Sequence, residues 1–348
     1  MQKEHITICY ILIDDSDLRY TKLLLISLSS LRFRNPEIPV CIFTDDATVR
    51  FWSSEYKMQM KKYGTEIKEI NVPASYSPME RSRYIKTSLR NYITGDILFL
   101  DTDTVIADTF SFNELKSDIM FAHDVNYDPS VHGKVPGGLS YDLAGHRELA
   151  KKHGYPFDET EEYFNGGVFF ARDNETTRLF FERWHKEWEK GRANGLAKDQ
   201  PSLNYINQEL GNAISPLSDS WNVQVYFPYS LRYIGTAKVI HYLVSIDEEG
   251  PFMLSRHKIM ELDVNDGLIQ TIIRNPKESF VPFTITTLSS EQISVTQSYV
   301  FHTIVSLYHN HRFIFRCINF PCSIKQRFVH AWTGMKKSLH ADKSIKTL

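Results

Sequence analysis

The sequence predicts an α/β fold in which a mixed, mostly parallel central sheet is flanked by helices and followed by a mostly helical C-terminal appendage. Three observations carry that expectation. Short apolar runs alternate with amphipathic stretches from Ile6 to Tyr242, the pattern of βα units feeding one sheet. One run, Ile97-Leu98-Phe99-Leu100, is apolar throughout, as befits a central strand covered on both faces. From about Ser290 the alternation gives way to interleaved aromatic and basic residues.

Taken in order, Ile6–Ile13 reads as the first strand, and Thr21–Leu31 as a helix with leucines at helical spacing that closes before Asn35-Pro36. Pro39–Phe43 is the second strand, Glu55–Lys62 a helix, and Glu66–Val72 the third strand. Glu80–Tyr92 is a helix that stops at Gly95, ahead of the fourth strand, Ile97–Leu100. The stretch Asp128–Asp142, with Pro129, Gly133, Pro136, Gly137 and Gly138, suits a mobile flap. The pattern resumes with a strand at Gly167–Ala171, helices at Glu175–Lys190 and from Gln200, and a strand at Lys238–Tyr242.

Composition narrows the class. The chain has 348 residues, 42% hydrophobic and 24% charged, which is ordinary for a folded globular protein. A formal net charge of −2 supplies no whole-molecule field for nucleic acid, so no nucleic-acid partner is expected. Cys9, Cys41, Cys317 and Cys322 have neither the spacing of a zinc site nor an evident pairing, and are read as free thiols. The apolar run Ile6–Ile13 is too short for a signal-peptide core, and no run approaches the roughly 20 residues that span a bilayer. A cytoplasmic location is the default expectation.

The chemistry concentrates where strands end, the usual ligand side of an open α/β sheet. Asp101-Thr102-Asp103 follows the apolar fourth strand; in an extended chain alternate residues face one side, so both carboxylates can enter one site. Hard divalent cations such as Mn²⁺ and Mg²⁺ take carboxylate oxygens and keep positions open for phosphate. Alone, an acidic pair is as readily a solvated loop or a helix cap. Phe164-Asn165-Gly166-Gly167 places a polar side chain and two glycines just ahead of a strand, where a ligand can approach the backbone or where the chain simply turns. Asp199-Gln200-Pro201 reads as an N-cap and first helical turn. His241 ends a strand and can serve as a third metal ligand.

In this order and spacing the four features resemble the GT-A-fold glycosyltransferases, most closely glycosyltransferase family 8 and its bacterial relatives that build surface polysaccharides, over about residues 5–245. The resemblance implies that Asp101, Asp103 and His241 hold a divalent metal, manganese by preference or magnesium, which grips the diphosphate of a nucleotide-sugar donor. It implies that Thr102, Asn165, Gly166 and Gly167 line the donor, with Asp199 and Gln200 at the reacting sugar. It further places uracil and ribose near Asp14, Asp15, Asp17 and Tyr20, and assigns a basic donor contact to Arg83 or Lys86. The expected activity is transfer of a hexose-type sugar from UDP to a glycan or lipid-linked acceptor, with retention, in cell-surface polysaccharide synthesis. An amide at Gln200 is a poor nucleophile, which favours front-face attack assisted by the leaving diphosphate. The family's lysine-bearing loop after His-Tyr is replaced by Leu243-Val244-Ser245-Ile246-Asp247-Glu248-Glu249.

On this reading residues 1–250 form the catalytic domain, 251–289 a connecting, acceptor-side segment and 290–348 the appendage. Two other readings compete. Asp101-Thr102-Asp103-Thr104 also fits the first motif of haloacid-dehalogenase phosphatases, with Asp101 as nucleophile, although that motif normally lies on the first strand. The missing lysine loop admits a catalytically silent nucleotide-sugar binder. The basic and aromatic tail suits a monotopic helix on an anionic inner-membrane surface, making the protein peripheral there, or else aromatics packed on the main domain beneath solvated Lys and Arg.

Overall fold

The computed structural model describes residues 6–126, 150–155, 162–225, 228–242, 252–254, 263–280, 298–311 and 313–318. The expected flap at Asp128–Asp142, the Leu243–Glu249 loop and the tail beyond Ile318 lie outside the described residues. The chain falls into two compact units, Met1–Val135 with Asp142–Ser289, and Pro136–Tyr141 with Ser290–Leu348.

In the larger unit seven strands form one sheet: β1 (Thr7–Ile11), β2 (Val40–Thr44), β3 (Thr65–Glu69), β4 (Ile97–Leu100), β6 (Ile119–His123), β7 (Phe164–Ala171) and β8 (Ser215–Pro216), in the order β3-β2-β1-β4-β7-β6-β8. β3, β2, β1 and β4 run parallel, whereas β7 is antiparallel to both β4 and β6. A second, three-stranded sheet joins β5 (Thr104–Ile106), β10 (Val239–His241) and β9 (Val223–Gln224). The predicted central position of Ile97–Leu100 is observed, with all four residues fully buried.

Side-chain alternation explains why these strands are apolar throughout. Leu98 and Leu100 pack with Ile8, Tyr10 and Leu12 into a core shared with α1 (Arg19–Arg34), α3 (Ser54–Lys62) and α7 (Gly267–Arg274). Ile97 and Phe99 point the other way, with Cys9 and Ile11, to α4 (Pro78–Thr87), α5 (Glu175–Ala193) and α6 (Gln200–Glu209). On that side Phe99 and Phe121 stack on either neighbour side of Phe169, each at 4.7 Å between ring centroids. Each fully buried ring of this kind contributes about 1.5–3 kcal/mol through removal from water. The short α2 (Asp46–Val49) completes the helices that precede β3.

Several elements differ from expectation. The helix predicted over Glu80–Tyr92 starts earlier, at Pro78, where Ser77 and Glu80 form a reciprocal capping box, and tightens to a 3₁₀ turn at Leu89–Asn91. β7 begins at Phe164, so Asn165-Gly166-Gly167 belongs to the strand and not to a turn before it. β5, β6, β8 and β9 were not expected; three are only two or three residues long, too short for a periodic signal, and β6 is apolar without alternation until His123.

Arg90 ties the ends of β4 and β7 together. Its guanidinium is 2% exposed and donates from Nη1 to Gly95 O (2.7 Å) and from Nη2 to Arg172 O (2.8 Å) and to Ala171 O. Three carbonyls therefore depend on one side chain. Arg90→Leu is expected to destabilise the fold by about 2 kcal/mol, because the buried Ala171 O loses a charged donor while the part-buried Gly95 O and Arg172 O can turn to water. Urea denaturation measures it, and a loss below about 1 kcal/mol would show that the clamp is dispensable.

In the smaller unit the described residues comprise α8 (Tyr299–Asn310), N-capped by Ser298, and helical residues 313–318. Tyr299, Val300, Ile304, Phe313, Ile314 and Ile318 are exposed. Among the described residues no helix is long and apolar enough to cross a membrane.

Candidate active site

The site forms because β7 runs against its neighbours: its first residues lie beside the last residues of β4. Leu100 pairs with Val168, and the next rung is the hydrogen bond from Asp101 N to Gly167 O at 2.8 Å. Beyond Asp101 the chain does not stay extended. Thr104 Oγ1 donates back to Asp101 O (2.8 Å), closing a bend that carries buried Thr102 at its apex and delivers the chain from the large sheet into β5 of the small one. The bend, and not strand alternation, brings the two carboxylates together. His241 stands opposite Thr104 in the small sheet, and Tyr242 N donates to Asp103 O at 3.1 Å. Ligand atoms of Asp101, Asp103 and His241 lie within 4.8 Å of one another.

Each member has a defined partner. Lys86, buried on α4, donates to Asp101 Oδ1 (2.8 Å) and Gly166 O (3.2 Å), with its ammonium 4.7 Å from the Phe99 ring centroid. His241 Nε2 faces Asp103 Oδ1 at 3.1 Å, and Nδ1 lies 3.0 Å from Asn222 Oδ1. Burial works to lower the His241 pKa, but Asp103 and Asp101 outweigh it and hold the ring above its ordinary value. Gly167 packs against this ring so closely that an added Cβ would collide with His241 Cε1 and lie 2.9 Å from Nδ1 and from Asn165 Oδ1.

Asp199 heads α6 but does not cap it: its backbone is helical and its side chain makes no cap hydrogen bond. The carboxylate instead pairs with Arg83 Nε at 2.9 Å. Of the two basic candidates on α4, Lys86 is thus enclosed, while Arg83 keeps 30% of its side chain exposed. Burial works to raise the Asp199 pKa, yet Arg83 and Lys86 more than offset it, so the carboxyl is held below its ordinary value. The stability from this pairing is complete above about pH 4, where the unfolded carboxylate is already ionised, and is lost as pH falls through the lower folded value. Asp199→Asn is expected to flatten that part of the acid limb when urea midpoints are followed against pH; an unchanged limb would show that Asp199 carries no such linkage.

Gln200, the next residue, has a buried Nε2 without a hydrogen-bond partner. α6 is fastened over the start of β7 by Asn204, which receives Phe164 N at Oδ1 (2.6 Å) and donates from Nδ2 to Phe164 O (3.0 Å).

The expected nucleotide end lies on the loop after β1. Asp14 is buried; its oxygens accept from Asp15 N (3.1 Å) and Thr21 N (2.6 Å), and burial raises its pKa despite those bonds. Asp15 and Asp17 are exposed, and the Arg19 guanidinium lies 4.8 Å from the centroid of half-buried Tyr20. This loop is a separate acidic cluster from Asp101, Asp103 and His241.

Sequence reasoning missed the polar layer behind the site. Asp124, Asn126, Asn222 and Gln224 are buried at the junction of β6 and β9. Val125, at φ 51°, is strained by about 1–3 kcal/mol, and Gln224 holds the turn by accepting Val125 N at Oε1 (3.1 Å) and donating from Nε2 to His123 O (2.8 Å). No periodicity marks these residues; the only sequence signal is amides spaced two apart in Asn222-Val223-Gln224.

The profile of the nucleotide-diphospho-sugar transferase family matches residues 81–265, more than half of the chain and every site residue above except those of the β1 loop. The chain belongs to the nucleotide-diphospho-sugar transferase family. With that membership the phosphatase reading of Asp101 and Asp103 falls. No curated protein matches the chain. Similar solved structures include the apo glycosyltransferase GlyE of Streptococcus pneumoniae TIGR4 (15% identity, 78% of this chain and 63% of that one, TM-score 0.46). The bifunctional glycosyltransferase WbbM (15%, 78% and 52%, TM-score 0.48) and the galactosyltransferase LgtC with donor and acceptor sugar analogues (16%, 83% and 99%, TM-score 0.47) are two others. This transferase thus spans 63% of GlyE and 52% of WbbM.

Proposed function

We propose that this transferase moves a hexose-type sugar, with retention, from a UDP-sugar to a glycan or lipid-linked acceptor of cell-surface polysaccharide, using Mn²⁺ or Mg²⁺. The observation that carries the proposal is the grouping of Asp101, Asp103 and His241 at the end of β4. Two carboxylates and one imidazole are a donor set that Mn²⁺ and Mg²⁺ accept while keeping positions for phosphate oxygens. Bound there, the ion supplies neutralisation of the leaving diphosphate.

The residues divide the remaining work. Arg83, half-exposed and fixed by Asp199, presents positive charge to the donor, while Lys86 braces Asp101 from below. Gln200 offers its unpaired Nε2 to the donor sugar. Asn165, Gly166, Gly167 and Thr102 form the wall, and Asp14, Asp15, Asp17 and Tyr20 the nucleoside end. The anomeric carbon loses its bond to the diphosphate and gains one to the acceptor oxygen on the same face, the acceptor proton passing to the departing diphosphate. Near-normal turnover by Gln200→Ala would remove that residue from the scheme.

Isothermal titration of UDP tests the donor reading directly. Binding is expected to require Mn²⁺ or Mg²⁺; equal affinity in chelator would sink the metal's role, and no binding would sink UDP. The exposed apolar side chains of α8 and residues 313–318 support a peripheral membrane attachment of this transferase at the inner face. The full chain is then expected to sediment with anionic vesicles, less so after Phe313→Asp/Ile314→Asp; equal sedimentation of both argues against it.

A further inference from the structure

We infer that Asn165 and Asn222 are positioning residues that relay the polarity of one strand N–H to His241, holding its ring in the Nδ1–H form with the Nε2 lone pair turned to Asp101 and Asp103. The inference rests on the metal reading above for its use, but not for its logic. Gly167 N, a backbone group that can only donate, lies 2.8 Å from the Asn165 side chain. The atom it meets must be Oδ1, which fixes the Asn165 amide and sends its Nδ2 to Asp124 Oδ1 at 2.9 Å, a carboxylate that accepts. Asn165 Oδ1 also receives the Asn222 side chain at 3.0 Å, so that atom of Asn222 must be Nδ2. Asn222 Oδ1 is left to face His241 Nδ1 at 3.0 Å, and an amide oxygen accepts only from a protonated nitrogen. In the neutral ring Nε2 is then bare, 3.1 Å from Asp103 Oδ1. Two acceptors at that distance call for positive charge between them.

The relay is sealed from water: Asp124, Asn165, Asn222 and His241 are all buried, and Asn222 is 0% exposed. It is also anchored. Asn126 Nδ2 donates to Asn222 O at 2.8 Å, and Asp124 sits in the strained turn after β6. Gly167 thus reaches both sides of the site, its N–H through two amides to His241 and its C=O to Asp101 N. Amides placed behind a ligating imidazole in this way orient its ring and set which nitrogen is free.

The test uses the full chain without metal, at a pH where the ring is neutral. Long-range ¹H–¹⁵N correlations of His241, assigned by their loss in His241→Gln, are expected to show the proton on Nδ1. A proton on Nε2 overturns the inference whatever the metal does. Mn²⁺ titration followed by electron paramagnetic resonance gives the second readout. Asn222→Leu, which cannot accept, is expected to lose the single tautomer and to weaken Mn²⁺ binding about 10–100-fold. Asn222→Asp loses the donor to Asn165 Oδ1 but still accepts from Nδ1–H, and is expected to keep the tautomer and bind Mn²⁺ more tightly than Asn222→Leu. Equal weakening by both substitutions would mark Asn222 as packing alone and overturn the inference. An Nδ1–H ring in a wild-type protein that ignores Mn²⁺ would uphold the relay and defeat the metal reading instead.

Discussion

Asp101→Asn/Asp103→Asn is expected to abolish Mn²⁺-dependent UDP binding and to lower sugar transfer about a thousandfold or more, while leaving the fold intact. The amide pair is the sharper choice than alanine because Lys86 is buried and takes Asp101 Oδ1 as its acceptor. Alanine there would leave the buried ammonium with Gly166 O alone, removing an acceptor as well as the counter-charge. Asparagine keeps an oxygen for Lys86 and removes the two charges that a divalent cation needs. It also relieves the mutual repulsion of two carboxylates in one cluster. Titration of UDP with and without Mn²⁺, beside a thermal melt, separates the two effects. Retained metal-dependent binding would show that the cation sits elsewhere.

Gly167→Ala should be nearly as damaging for a different reason. The added methyl has no free space: His241 Cε1 and Nδ1 and Asn165 Oδ1 all crowd it. The ring cannot retreat, since its Nδ1 is held by Asn222 and its strand pairs with β5 and β9. A loss of about 1–3 kcal/mol in stability is expected from overpacking, with transfer reduced about a hundredfold as His241 is displaced by an ångström or so. Gly166→Ala is the control. Its Cβ would lie 3.5 Å from Asp199 Oδ2, an ordinary contact, so the melt should stay near wild type and any lost activity there reports crowding of the donor. Equal stability of the two variants would contradict the packing described for Gly167.

The contrast between these glycines shows what could be read from sequence. The acidic pair was visible because β4 is apolar at every position and ends in charge, so strand and site announced each other. His241 was visible as a polar residue closing an apolar strand. Invisible was the means of assembly. Expecting an extended Asp101-Thr102-Asp103 missed the bend closed by Thr104, because nothing in a three-residue β5 signals a second sheet. The N-cap expected of Asp199 failed since a tertiary partner, Arg83, outcompeted the local backbone for its carboxylate. Asn222 and Asp124 were unreadable for the same reason: their partners are 57 and 41 residues away at Asn165, and local spacing holds no trace of such pairings.

Asp101 and Asp103 are stitched by their own backbones into two different sheets, one through Gly167 O and the other through Tyr242 N. The reactive geometry is therefore set by strand register, and a register slips only in whole residues. A change of loop length outside these strands leaves that pairing untouched, whereas a slip of either strand by one residue would part the two carboxylates.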